Sequence, residues 1–232
     1  MDGGRDGGAC CGMKDPELAE AAVRSFVALH PSLEQREQVK RLIERLARAL
    51  PTRARGDGSH HARGPIRWVS AHQAHLTLAF LGDVEPGRLT HVCARVVDVA
   101  AAHRPFEIAF DGLGAFPNAR RPRVIWLGVS TGRDAVAELA LDVRRALAPL
   151  GFEPDEAPYR PHLTLGRIRR GAPAADRSTL SEFLASTPAD AGTAETPVRE
   201  VTLMASHVGP DGAVHTVLCR APLGDVSSPG LP

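Results

Sequence analysis

The sequence predicts an α+β protein of two lobes that arose from a duplicated unit. The letters His-Leu-Thr-Leu occur twice, beginning at His75 and at His162, 87 residues apart. Each copy is followed by a helical pattern and then by a pair of strand patterns, and this period is too long for a solenoid repeat. The 232 residues, 43% hydrophobic and 24% charged, suit one packed domain with two closely associated lobes.

Strand and helix patterns alternate along the chain. Runs rich in β-branched and apolar residues predict strands, at 22–29, 66–70, 75–82, 106–116, 123–129, 159–168, 198–208 and 213–221. Apolar residues at helical spacing predict helices, at 32–50, 86–103, 132–150 and, more briefly, 178–185. Ser32 and Gln35 form a capping-box pattern at the start of the first helix, and Pro86 and Gly151 mark the beginning of the second and the end of the third.

The ends of the chain are predicted to lie outside the folded domain. We expect a disordered leader at 1–21, one two-lobed domain at 22–224 and a disordered tail at 225–232, with a flexible loop at 51–65. The N-terminus lacks a secretory signal, and no apolar run is long enough to span a membrane. Net charge is +1, which gives no indication of a nucleic-acid coat protein, although local basic clusters could still hold a phosphate.

The four cysteines predict reduced thiols. Cys10 and Cys11 are adjacent, whereas Cys93 and Cys219 are isolated, and none matches a zinc spacing. Cys93 and Cys219 are predicted to be small buried hydrophobic residues. We therefore expect a cytoplasmic protein without a metal or other cofactor.

The doubled motif places an imidazole and a hydroxyl on one face of each strand. Side chains alternate in a strand, so His75 and Thr77 point to one face, and His162 and Thr164 do the same in the second copy. The leucines between them point to the core. Chance would place the motif twice in on the order of one in a thousand sequences of this composition, so two copies favour a shared site.

Two histidines and two threonines in one cleft suit phosphoryl chemistry. Imidazole titrates near pH 6.5, so one histidine can act as a base while the other acts as an acid. Threonine hydroxyls can donate hydrogen bonds to phosphate oxygens. One histidine would deprotonate a water that attacks phosphorus, and the other would protonate the departing oxygen.

The paired His-x-Thr-Leu motifs resemble the two-histidine phosphoesterase superfamily, and within it the RNA 2′,3′-cyclic phosphodiesterases, also named 2′-5′ RNA ligases. Further similar stretches are SFVAL, RWVSAHQAHLTLAFLG, FEIAFDGLGAFPNARRPRVIWLGV and YRPHLTLGRIR, and the resemblance covers residues 23–223. It implies two antiparallel sheets that face a central cleft with helices outside. The leader, the long 51–65 loop and the lead-in Ala-His-Gln-Ala-His depart from the family pattern, and the loop could alter which RNA ends fit.

The resemblance also implies an activity and roles. It implies hydrolysis of RNA 2′,3′-cyclic phosphate ends to 2′-phosphomonoesters, and the set of histidines and threonines itself needs no metal. His75 would be the proton donor and His162 the proton acceptor, and Thr77 and Thr164 would bind phosphate oxygens. Arg167 lies where the family often has an arginine, but strict alternation turns it away from the cleft unless the strand bends or ends near Gly166. We expect RNA ends as partner, no membrane contact and a monomer.

Other functions stay open, and one of them is action on a small substrate such as a cyclic nucleotide or 2′-5′ oligoadenylate. The reverse reaction would join a cyclic phosphate end to a 5′-hydroxyl, although water at about 55 M competes unless the second RNA is held tightly. A non-catalytic module would only bind such ends, although arginine or lysine would serve that purpose better than histidine.

Most of the remaining candidates are predicted to be structural. Trp68 and Trp126 are expected in the core. Phe116 is expected either to pack or to stack on a base at the cleft mouth. The unpaired histidines are predicted to be surface or packed residues rather than catalytic ones: His30, His72, His91, His103, His207 and His215.

Overall fold

The computed structural model describes residues 21–49, 65–153, 158–170, 172, 180–184, 192–209 and 212–224. The predicted leader and tail, and the 51–65 loop, lie outside these residues except for Ala21 and Pro65. Among the described residues there are ten strands: β1 Val23–Leu29, β2 Ile66–Trp68, β3 Leu76–Val84, β4 Phe106–Ile108, β5 Phe110–Phe116, β6 Val124–Val129, β7 His162–Ile168, β8 Thr196–Val198, β9 Glu200–Gly209 and β10 Gly212–Pro222.

The helices agree with the predicted patterns. They are α1 Leu33–Ala49, α2 Pro86–Ala102 and α3 Arg133–Leu147, with short helical turns at Ala71–Gln73, Ala148–Leu150 and 180–184. The predicted capping box is present. The backbone N–H of Gln35 donates to Ser32 Oγ, and the backbone N–H of Ser32 donates to Gln35 Oε1, each at 3.1 Å. The helix therefore begins where the sequence predicts it.

The predicted strand at 106–116 is divided in the structure. The backbone of Ala109, between β4 and β5, forms hydrogen bonds with the backbone of Ser130 and Thr131. The chain changes direction there, so β4 and β5 are separate strands. Strand β4 pairs instead with β8, which begins two residues before the predicted strand at 198–208, and these two form a small separate sheet.

The remaining eight strands form two antiparallel groups that meet at one point. Their order is β10-β9-β1-β3-β7-β6-β5, with β2 also on β7. Among the described residues, β3 and β7 are joined by one backbone pair, Leu76 with Leu163. The predicted α+β class is confirmed, and the two groups are the two lobes.

The strand pairs are exchanged between the motifs. Strands β5 and β6, which follow the first motif in sequence, pair onto β7 of the second motif. Strands β9 and β10, which follow the second motif, pair onto β1 beside β3. Each motif strand is therefore completed by the part of the chain that follows the other motif.

The main core lies between the helices and one face of the sheet. The leucines of both motifs are completely buried in it: Leu76, Leu78, Leu163 and Leu165. Helices α2 and α3 pack against each other, α2 also against β9 and β10, and α3 against β3. None of the helices within the described ranges is long and apolar enough to cross a membrane.

The prediction of reduced thiols is wrong for one pair of cysteines. Cys93 on α2 and Cys219 on β10 form a disulfide, with their Cα atoms 6.2 Å apart. The two residues are 126 positions apart in sequence, and they meet because α2 packs on β10. Cys10 and Cys11 lie outside the described residues.

Candidate active site

The two motifs lie side by side at the junction of the lobes. Because Leu76 and Leu163 pair in antiparallel register, the next residues bring His75 beside Thr164 and Thr77 beside His162. These four side chains share the face opposite the buried leucines. Burial of the leucines on the helix side therefore fixes both imidazoles and both hydroxyls on the open side of the sheet.

Both catalytic candidates are held in the same tautomer. The Nδ1 atom of His75 lies 2.8 Å from the Gln73 carbonyl oxygen, and Nδ1 of His162 lies 2.7 Å from the Arg160 carbonyl oxygen. A carbonyl oxygen only accepts, so each Nδ1 carries the hydrogen. In the neutral ring Nε2 is then free to accept a proton. A general base needs this form, and a general acid reaches it once the acid has donated its proton.

A β-bulge turns Arg167 toward the site. Thr164 pairs with Trp126, whereas Arg167, three residues further along β7, pairs with Val124, only two residues away in β6. The extra residue is Leu165, and such a bulge reverses the alternation beyond it. Trp126 and Val124 share a face, so their partners Thr164 and Arg167 do as well. The positive charge of Arg167 acts on both His75 and His162, lowering the pKa of each.

Aromatic rings form the wall around His162. The centroids of the Phe116 and Trp126 rings lie 4.9 Å and 6.2 Å from the centroid of the imidazole. A Cβ atom on Gly114 would come within 2.1 Å of the Trp126 ring, so the absence of a side chain there leaves room for the indole. The expectation that Trp126 belongs to the core is wrong, since it lies on the face of the site. Trp68 does pack against the core.

A second aromatic group surrounds His75. Its ring centroid lies 4.6 Å from Phe26 and 5.0 Å from His215, and Phe26 and His215 are also 5.0 Å apart. Strand β1 brings His30 beside His75, because the preceding pair in the register is Leu29 with Leu76. His30 and His215 are thus packed histidines, one of the two predicted environments, and the ring against which they pack is that of His75. They come from strands far away in sequence, and no spacing signal could have placed them.

Burial keeps these histidines neutral in the free protein. It is the main cause that lowers the pKa of His75 and of His30 to about 4, aided in each case by neighbouring positive groups. Burial also lowers the pKa of His162 and of His215. The backbone hydrogen bonds to His75 and His162 act in the opposite direction. The site is therefore positive from its arginine rather than from its imidazoles.

The depressed histidine pKa values predict acid sensitivity. In the unfolded chain the pKa of a histidine is about 6.5, whereas in the folded protein the pKa of His30 and of His75 is about 4. The unfolded state is thus the more protonated one between these values, so the free energy of unfolding falls as pH falls from 6.5. We expect a slope of up to about 1.4 kcal/mol per pH unit for His75, and a smaller slope for His30, which is less deeply buried as a whole.

Urea unfolding between pH 7 and pH 5 measures this slope before most carboxylates titrate. The charged groups that act on the two rings are Arg36, Arg220, Arg167 and His215. A His30→Gln variant should lose its share of the slope, whereas a change at the exposed His91 should not. A stability that is constant over this range would contradict the expectation.

A tyrosine braces the two motif strands. Tyr159, in the segment before β7, donates through its hydroxyl to the Thr77 carbonyl oxygen at 2.8 Å. The guanidinium of Arg144 lies 4.2 Å from the centre of the Tyr159 ring and donates through Nε to the Leu78 carbonyl oxygen at 2.8 Å. These contacts hold β3 against the segment that leads into β7. They therefore limit the movement of the His75 ring relative to the His162 ring.

The polar groups of the open face suit an anion. The two motifs and Arg167 contribute two Nε2 atoms, two hydroxyls and one guanidinium to this face. No three His, Cys, Asp or Glu side chains within the described ranges are arranged as a metal site. The set on the face can hold an anion and move protons on either side of it.

The comparisons with known proteins point to one family. The family model described as "2'-5' RNA ligase superfamily" matches residues 52–210. A protein of Aquifex aeolicus named RNA 2′,3′-cyclic phosphodiesterase is 31% identical over 87% of this chain and 98% of its own length. One of the same name from Methanothermobacter thermautotrophicus is 31% identical over 84% and 95%.

Two solved structures are similar to this chain over most of its length. The chain is similar to TT0787 of Thermus thermophilus, with a TM-score of 0.67 and 25% identity over 88% of this chain and 99% of that one. It is also similar to E. coli LigT complexed with 3′-AMP, with a TM-score of 0.64 and 26% identity over 87% and 98%.

Proposed function

Because this chain belongs to the 2′-5′ RNA ligase superfamily, we propose that it hydrolyses 2′,3′-cyclic phosphate ends of RNA to 2′-phosphomonoesters. The observation that carries the proposal is the pair of imidazoles, each anchored through Nδ1 and each with Nε2 free on one shared face. An acid and a base on the two sides of one phosphorus are what this displacement needs.

We assign the proton transfers by the family resemblance. Nε2 of His162 accepts a proton from water as the water oxygen bonds to phosphorus. Protonated His75 donates from Nε2 to the 3′ oxygen as the phosphorus–3′ oxygen bond breaks. The phosphate stays on the 2′ oxygen, and exchange with solvent returns each histidine to its starting state. No step needs a metal or another cofactor.

Thr77, Thr164 and Arg167 are proposed to bind the non-bridging oxygens. The hydroxyls donate hydrogen bonds, and the guanidinium matches an anion whose charge grows in the transition state. The anion has a second effect on His75. Negative charge beside a buried imidazole raises its pKa, so substrate binding itself favours the protonated form that the acid role requires.

An Arg167→Gln variant tests the role of this charge. We expect kcat/KM to fall by about tenfold to a hundredfold, the range for one charge-assisted hydrogen bond. Since Arg167 lowers the pKa of both catalytic candidates, its removal should also shift the limbs of the pH–rate profile to higher pH. The matched control is Arg24→Gln, an exposed arginine of β1. A fall in activity without a shift of the limbs would place Arg167 away from the two rings.

The proposed setting follows from the substrate. The partner is the 3′ end of RNA, and we propose that the protein acts as a monomer in the cytoplasm. With the disulfide between Cys93 and Cys219 in place, this location rests on the substrate and not on the cysteines.

A product analysis tests the function directly. The purified protein is incubated with a short RNA that ends in a 2′,3′-cyclic phosphate, in the presence of EDTA. A gain of one water by mass and a product sensitive to phosphatase are expected, and assignment to the 2′ position completes the result. Binding without turnover would support the non-catalytic alternative, and joining to an added 5′-hydroxyl RNA would support the ligase.

A further inference from the structure

A second polar cluster adjoins His75 on the same face. His30 lies beside it in the register, and the His215 ring lies 5.0 Å from the His75 ring. Three imidazoles therefore lie together, and the proposed reaction uses only one of them.

The two additional histidines have ring nitrogens without partners. Both ring nitrogens of His30 and Nδ1 of His215 are shielded from solvent and make no hydrogen bond within the described chain. A buried polar atom without a partner costs about 1–3 kcal/mol, so native proteins rarely keep several together. Such a group beside an active site points to a ligand that supplies the partners.

The charge around this cluster favours an anion. Thr77, Ala28, Thr202 and Arg220 pair in one row across four strands, so Arg220 faces the same side as Thr77. After burial, the positive charges of Arg36 and Arg220 are the main causes that lower the pKa of His30. Arg220 also forms an ion pair with Glu200. Two guanidiniums and one carboxylate leave a net positive charge.

The proposed chemistry indicates which anion would reach the cluster. In an in-line displacement the attacking water and the leaving 3′ oxygen lie on opposite sides of phosphorus. Water enters from the side of His162, so the ribose and the rest of the RNA lie on the side of His75. The next negative group on that side is the phosphodiester that precedes the terminal nucleotide.

We propose that His30, His215 and Arg220 bind this preceding phosphodiester, and so select an oligonucleotide over a mononucleotide. The inference rests on the proposed function and adds the part of the substrate that sets its length. Each neutral imidazole donates one N–H to a non-bridging oxygen, and Arg220 adds donors that its bond to Glu200 does not use. A phosphodiester with one negative charge matches the net charge of the cluster.

Three substrates separate this site from the catalytic one. They are adenosine 2′,3′-cyclic phosphate, the dinucleotide ApA with a 2′,3′-cyclic end, and the same dinucleotide with a neutral methylphosphonate linkage. With the full chain, we expect kcat/KM for the charged dinucleotide to exceed that for the mononucleotide by about tenfold or more. The neutral dinucleotide should lose most of this gain.

Two variants locate the effect. Arg220→Gln changes an exposed side chain, and His30→Gln keeps a polar group in the buried position. Each should lower the ratio of charged dinucleotide to mononucleotide by about tenfold, whereas Arg24→Gln should preserve it. Circular dichroism and urea unfolding verify that the variants are folded, and Arg220→Gln tests the proposal if His30→Gln does not fold.

The outcomes distinguish the two proposals. Equal kcat/KM for all three substrates would overturn the phosphodiester site and leave the hydrolase intact. If the neutral dinucleotide shows the same gain in kcat/KM over the mononucleotide, the gain comes from the second nucleoside and not from the charge. That result would also overturn the phosphodiester site. Failure to hydrolyse any of the three would overturn the proposed function itself.

Discussion

His75→Ala and His162→Ala are each expected to lower kcat by about 10²–10⁴-fold, the contribution typical of a positioned acid or base. Each substitution removes an Nε2 that the backbone holds in place through Nδ1. Because the two proton transfers belong to one displacement, the double variant should be little worse than the worse single variant. Single-turnover kinetics with a cyclic-ended RNA measure the loss.

The matched control is His91→Ala, which removes an exposed histidine of α2 and should retain full activity. The two active-site variants should unfold at urea concentrations near that of the parent chain, since neither ring belongs to the hydrophobic core. Full turnover in either variant would remove that histidine from the mechanism. Losses that multiply in the double variant would show that the two act in separate steps.

Leu163→Ala is expected to lower the free energy of unfolding by about 2–5 kcal/mol. Leu163 is completely buried, and so is its partner Leu76. This pair is the one backbone connection recorded between β3 and β7 in the described part of the chain. A cavity there weakens the core and the junction of the lobes together.

Urea unfolding measures the change, with Leu141→Ala as the control. Leu141 lies on α3 with 46% of its surface exposed, so its truncation should cost under about 1 kcal/mol. Folded Leu163→Ala protein should also show a lower kcat, because the same pair sets the distance between the imidazoles. A cost as small as that of the control would show that the lobes are held together elsewhere.

The alternation of side chains in the two motif strands is sufficient to predict the histidines and threonines of the site. Alternation places His75 with Thr77 and His162 with Thr164, and burial of the leucines makes that assignment secure. The role of Arg167 depends on a bulge, which is a property of the pairing between β6 and β7 and not of either sequence alone. Its direction cannot be derived by counting residues.

Contacts between distant strands account for the other differences. An apolar run predicts Trp126 in the core, but Gly114 across the strand pair makes room for it on the open face. His30 directly follows β1 and His215 lies on β10, and they meet at His75 through the order of the strands in the sheet. Cys93 and Cys219 meet through helix packing in the same way.

The exchange of strand pairs has a consequence for protein synthesis. Strand β1 pairs with β9, and the hairpin of β9 and β10 supplies His215 to the surroundings of His75. Of the strands that the structure describes, these two are synthesised after all the others. A nascent chain that already contains both motifs can pair β1 with β3, but it still lacks the β9–β10 hairpin beside β1. The surroundings of His75 are therefore complete only after β10 has been synthesised.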